Sequence, residues 1–79
     1  MLVVLYSDEK CFYCQKQKEW FDEQNIEYEE KDVSKEENLK EVQRLGAIGV
    51  PFTVIYKEYE TVKISGLNYK RLKKHLGLN

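Results

Sequence analysis

Two cysteines, Cys11 and Cys14, separated by Phe12 and Tyr13, are the residues of this 79-residue chain best suited to chemistry. The reactive form of a cysteine is the thiolate, whereas a free cysteine, with a pKa of about 8.5, is mostly protonated at neutral pH. The pair follows an apolar run, Leu2-Val3-Val4-Leu5-Tyr6, and opens a helix-friendly stretch. At a helix start, unpaired amide N–H groups and the helix dipole favour an anion, here on Cys11. Lys10 adds a positive charge next door and Lys16 another about a turn away, with Asp8 and Glu9 opposing. Cys14 falls one turn further on and on the same face, deeper in the helix, so it should be more buried and less reactive. That division of labour allows Cys11 to attack a disulfide and Cys14 to resolve the mixed disulfide, leaving the pair oxidised. Two other readings compete. The pair could be half of a zinc site, but there is no second cysteine pair and the only histidine is His75, so zinc would need a dimer. It could also be an inert structural pair.

A second feature is Gly49-Val50-Pro51-Phe52. Proline removes a ladder hydrogen bond, so at the head of an interior strand it needs a reason. A cis Val50–Pro51 bond is one, since cis bonds are nearly confined to X-Pro; it would turn the Val50 backbone outward to pair with an extended peptide. The plainer alternative is a trans proline that opens the strand.

The elements that must position these residues follow from pattern. Leu2 to Tyr6 is short, continuous and β-branched, which predicts a buried, central strand. A helix is expected from about Cys11 to Gln24, with Cys14, Gln17 or Lys18, and Phe21 on one face and Asn25 ending it. Trp20 and Phe21 supply most of its packing area. Ile26 to Asp32 alternates and predicts a second strand. Ser34 followed by Glu37 is a capping box, so a helix should begin near Lys35, turn Leu39, Val42 and Leu45 inward, and stop at Gly46. Strands are expected over Phe52 to Tyr56 and about Thr61 to Ile64, joined through Lys57-Glu58-Tyr59. Gly66 and Asn68 introduce a last helix, Tyr69 to Leu76, closed by Gly77. The order β-α-β-α-β-β-α implies an α/β fold: a parallel pair, a hairpin, and one mixed four-stranded sheet flanked by three helices.

Composition narrows the classes. The length allows one domain, residues 1–79, which should bury only about 60% of its unfolded surface. A content of 42% hydrophobic and 34% charged residues suits a globular protein with a solvated exterior. A net charge of −1 argues against nucleic-acid binding. The basic Lys70, Arg71, Lys73 and Lys74 and the acidic stretch 27–37 are read as solvated faces. No membrane span is expected. The apolar run at Met1 to Tyr6 has neither a basic flank nor a cleavage site, so a cytoplasmic location is expected. Tyr6 and Tyr28 are expected at the core edge, His75 on a solvated helix face, and Tyr13 beside the thiol.

Cys11-Phe12-Tyr13-Cys14, Asp32-Val33-Ser34, Gly49-Val50-Pro51 and Ser65-Gly66 with Leu72 stand in the order and spacing of glutaredoxins. The chain resembles that family over essentially its whole length, and equally the NrdH-type redoxins that pass electrons from thioredoxin reductase to ribonucleotide reductase. The resemblance implies a thioredoxin fold, a cis proline at Pro51, Cys11 as nucleophile and Cys14 as resolving thiol. It also implies glutathione or thioredoxin reductase as reductant, protein disulfides as substrates, a monomer, and no bound cofactor or metal. Lys10, Tyr13, Val50, Pro51, Gly66 and Asn68 are the expected substrate- or glutathione-binding residues. Three positions depart from the family pattern. Phe12 replaces the usual proline, Asp8 stands where a lysine usually pairs with a glutathione carboxylate, and Tyr69 replaces the aspartate that grips the γ-glutamyl end. Ser65-Gly66 followed by a large apolar residue is closer to the NrdH-type redoxins. An iron–sulfur carrier dimer, held through Cys11 and glutathione, is the rival from another class; Asp8 counts against it.

Overall fold

The computed structural model describes residues 1–78. Strands β1 (Leu2–Ser7), β2 (Glu29–Asp32), β3 (Phe52–Tyr56) and β4 (Thr61–Ser65) form one sheet in the order β2-β1-β3-β4. β1 runs parallel to β2 and antiparallel to β3, and β3 pairs antiparallel with β4. Helices α1 (Phe12–Glu23), α2 (Glu36–Arg44) and α3 (Tyr69–Leu76) complete the expected order. This is the mixed four-stranded α/β arrangement that the element order implied.

The unbroken apolar run of β1 is explained by its place inside the sheet. Val3 and Leu5 join Phe21, Ile55, Ile64 and Leu72 in the core under α1 and α3, whereas Val4 and Tyr6 join Val42, Phe52 and Val54 under α2. The edge strands differ. β4 alternates, burying only Val62 and Ile64, and β2 is the charged tetrad Glu29-Glu30-Lys31-Asp32, a composition that blocks further strand addition.

The second strand is shorter than its alternation suggested. Asn25 adopts a left-handed conformation (φ 57°), its N–H donates to Asp22 O at 3.1 Å, and the Ile26 N–H donates to Phe21 O at 2.9 Å. This is a Schellman closure of α1, so Ile26 belongs to the helix stop and packs back on the core with Tyr28 before pairing begins at Glu29. The capping box also fails to form. Lys35, not Ser34, is the N-cap of α2, with no side-chain cap, because Asp32 takes over the turn. Its Oδ1 accepts the Ser34 N–H at 2.9 Å and its carbonyl accepts Asn38 Nδ2 at 2.9 Å. Glu36 and Glu37 still place negative charge in the first turn, where the dipole favours it.

Of the three residues expected to face inward from α2, only Val42 is buried; Leu45 is half-buried and Leu39 is exposed. A polar clamp compensates. Tyr6 is fully buried rather than at the core edge, and its hydroxyl donates to Glu41, which also pairs with Lys31 at 2.6 Å. A buried tyrosine hydroxyl needs such a partner. His75 is half-buried rather than solvated; partial burial, then Lys57, Arg71 and Lys74, hold its imidazolium below the usual range.

Two predictions follow from this packing. Ile55→Ala should destabilise the fold by about 2–5 kcal/mol in urea unfolding, whereas Leu39→Ala should cost under about 0.5 kcal/mol; comparable losses would contradict the burial. Lys31, then Tyr6, hold the Glu41 carboxyl below its ordinary value. A depressed carboxylate contributes stability that is present above the unfolded value of about 4.3 and lost as pH falls through the lower folded value. Glu41→Gln should therefore be less stable than the parent at neutral pH and indistinguishable from it in acid, as read by thermal unfolding across pH.

Candidate functional site

β1 ends at Ser7, and the turn that follows delivers Cys11 to the residue just before α1. The Cys11 N–H donates to Asp8 O at 3.0 Å, and Asp8 Oδ1 accepts the Lys10 N–H at 3.0 Å, so Asp8 builds the loop. Cys11 is then the N-cap of α1 in extended geometry, and its Sγ accepts the Cys14 N–H at 3.2 Å. An amide donor and a helix N-terminus both stabilise a negative charge at that sulfur. Cys11 is half-buried and Cys14 fully buried, and both are free thiols. Burial first, then the hydrogen bond with Cys11, pushes the Cys14 thiol up to about 12, against the Asp8 amide and Lys18, which pull the other way.

The Val50–Pro51 bond is cis, and the Val50 carbonyl oxygen lies 3.8 Å from Cys11 Sγ. Gly66, at φ 70°, donates its N–H to Pro51 O at 2.9 Å, so the β4–α3 turn is tied to the proline loop. Cys11, Cys14, Val50, Pro51 and Gly66 thus come together, although they are up to 55 positions apart in sequence. Asn68, two residues on, is exposed, and its Oδ1 is engaged as the N-cap of α3, accepting the Arg71 N–H at 3.2 Å. Tyr13 and Phe12 are exposed on the first turn of α1, edge to face at 5.6 Å. Lys10 is exposed next to Cys11. Lys16 leans over the Phe12 ring, 5.4 Å from its centroid, and pairs with Glu19 at 3.7 Å.

An apolar groove continues from the proline loop towards α2, lined by Val33, Leu39, Val42, Ala47, Ile48 and Val50, with Ile48 fully exposed. The exposed leucine that left the core therefore borders this groove.

Of the two residues expected for the inner face of α1, Gln17 or Lys18, Gln17 is the buried one, and a single contact escaped the sequence. Lys18 instead reaches β2, where its Nζ meets Glu30 Oε2 at 2.7 Å, and the same oxygen accepts the Ser7 hydroxyl at 2.6 Å. The i+4 spacing from Cys14 to Lys18 was visible; the partner 12 residues away was not. Among the described residues no group of three or more His, Cys, Asp or Glu side chains is arranged to hold a metal ion, and no helix is long and apolar enough to cross a membrane.

Comparison with solved structures finds the same fold. A point mutant of the thioredoxin-like protein BC3987 superposes with a TM-score of 0.86 at 23% identity, covering 98% of this chain and 96% of that one. The glutaredoxin-like NrdH-redoxin of Escherichia coli gives 0.79 at 17% identity, covering 94% and 93%. The glutaredoxin of Archaeoglobus fulgidus gives 0.74 at 20%, covering 94% and 84%. Among curated proteins, none matches the chain in sequence. The family model for glutaredoxins matches residues 3–60, which holds both the cysteine pair and the cis proline. The chain belongs to the glutaredoxin family.

Proposed function

We propose that this protein is a dithiol oxidoreductase that reduces disulfides of other proteins, and glutathione mixed disulfides, as a single-domain cytoplasmic monomer. The observation that carries the reading is the Cys11 sulfur at the head of α1, receiving the Cys14 N–H at 3.2 Å and facing the Val50 carbonyl. The Cys11 thiolate attacks one sulfur of a substrate disulfide. A Cys11–substrate bond forms, and the other substrate sulfur leaves and takes up a proton. Cys14 then loses its proton and attacks Cys11 Sγ. The mixed disulfide breaks, the second substrate sulfur leaves as a thiol, and the Cys11–Cys14 disulfide holds the two-electron oxidation. Val50 and Pro51 present backbone to an extended substrate, with Gly66 bracing that loop, and Tyr13 and Lys10 flank the sulfur.

A second reading concerns the electron source. Asp8 stands where glutathione users place a lysine, Tyr69 replaces their aspartate, and Asn68 Oδ1 is occupied capping α3. The exposed apolar Phe12, Tyr13 and Ile48 suit a protein surface better than a charged tripeptide. These features support an NrdH-type redoxin, reduced by thioredoxin reductase and donating to ribonucleotide reductase. The E. coli NrdH-redoxin, a glutaredoxin-like protein described as having a thioredoxin-like activity profile, is consistent with that choice.

Cys11→Ser should reduce insulin-type disulfide reduction to the uncatalysed rate, and retained turnover would contradict the assignment. Cys14→Ser should accumulate a mixed disulfide on Cys11, seen as a mass adduct that a free thiol removes; no adduct would exclude the two-step route. In parallel assays, turnover coupled to thioredoxin reductase should exceed turnover coupled to glutathione and its reductase, and the reverse order would return the protein to the glutathione users.

A further inference from the structure

In the dithiol reaction just proposed, on which this inference rests, the second step asks most of the protein. The attacking thiol, Cys14, is fully buried, and burial disfavours the anion it must become. Lys18 lies one helical turn after Cys14 on α1, a spacing that makes the two side chains neighbours. It is also the most sheltered of the ion-paired lysines on α1 and α2, with 19% of its side chain exposed against 48% for Lys16 and 59% for Lys40. Glu30 holds it there at 2.7 Å, and Glu30 is itself fixed by the buried Ser7 hydroxyl at 2.6 Å. Ser7 ends the strand that leads into the Cys11 turn, so the chain Ser7–Glu30–Lys18 ties the cation to the same frame as the sulfurs.

We propose that Lys18 is a positioning residue for the resolving step. Its ammonium stabilises the Cys14 thiolate, and Glu30 sets how much of that charge Cys14 feels. The electrostatics agree in direction: Lys18 favours the Cys14 anion, and Cys14 in turn favours the Lys18 cation. The groups that act on Cys14 are few: Cys11 from the N-cap of α1, Lys18 from α1 itself and the Asp8 amide from the β1–α1 loop, whereas Glu30 of β2, with Asp32 beyond it, is linked to Cys14 only through Lys18. β3 and α3 contribute apolar side chains and Thr53 to that side of the sheet. Glu30 is itself held below the ordinary glutamate range, by Lys18 first and Ser7 second, so it is a poor base. The Cys14 proton therefore passes to solvent, Cys14 Sγ bonds to Cys11 Sγ, the bond from Cys11 to the substrate sulfur breaks, and the leaving thiolate is protonated from water.

Stopped-flow reaction of the reduced protein with one equivalent of dithiodipyridine reads the two steps separately. Each releases a coloured thiopyridone, first when Cys11 attacks and then when Cys14 resolves. Lys18→Met should raise the pH midpoint of the second phase and slow it about tenfold at neutral pH, because one pH unit is a factor of about ten in thiolate. Glu30→Gln should lower the midpoint and speed that phase, and Lys18→Arg should restore parental behaviour. A lysine that merely braces the helix gives no such opposed pair. Unmoved midpoints, or shifts of the same sign in Lys18→Met and Glu30→Gln, overturn the inference while leaving the first phase intact. Absence of the first phase in the unmodified protein overturns the dithiol reaction and this inference with it.

Discussion

The amide N–H of Cys14 donates to the sulfur of Cys11, and the rest of the molecule is arranged so that it can. A helix leaves its first amides without backbone partners, and an N-cap side chain is the ordinary remedy. Here a cysteine fills the place usually taken by serine or aspartate, so a structural requirement of α1 and a chemical requirement of the site are met by one contact. Both sulfurs are drawn in by the same turn. The capping sulfur stays half-buried at the helix mouth, and the donor's own side chain points into the core. The asymmetry between an accessible sulfur and a buried one is thus a consequence of where a helix begins.

That helix start has to be held in place, and the core supplies the rigidity. β1 lies inside the sheet and is buried on both faces, so the chain leaves it at a fixed point, Ser7, and turns through Asp8 to the cap. β3 runs beside β1 and begins immediately after Pro51, which brings Val50 opposite the sulfur. The Gly66 amide on Pro51 fastens the third segment. The backbone that two distant loops bring to the Cys11 sulfur is therefore set by sheet register, and a one-residue slip in β3 would turn every side chain of that strand to the wrong face.

Much of this was legible in the sequence because it depends on local pattern. The continuous apolar β1, the boundaries of β3 and α3, the left-handed Asn25, and the glycines at 46 and 77 follow from pattern and turn chemistry, and the structure shows them. The cysteine pair and the proline were recognisable as chemistry from type and spacing. The misreadings share a cause: competition between local motifs that tertiary contacts decide. Ile26 reads equally well as a strand residue or a helix stop, and its packing on the core makes it the latter. Ser34 and Glu37 spell a capping box, but Asp32, fixed at the end of a paired strand, captures the turn first. Leu39 has helical spacing for the core, yet α2 is held largely by Val42 and by the Tyr6–Glu41–Lys31 clamp, which leaves Leu39 to the groove. Lys18 meeting Glu30 is a contact between a helix and an edge strand, which no spacing rule within one element foretells.

The central claim is that one sulfur is poised at the surface while its partner, one turn behind, is withheld. Competitive alkylation of the reduced protein with iodoacetamide at neutral pH, followed by peptide mass spectrometry, measures this directly. The account predicts that Cys11 is labelled at least ~10 times faster than Cys14, because reactivity follows thiolate fraction and access. Equal labelling, or faster labelling of Cys14, would contradict it.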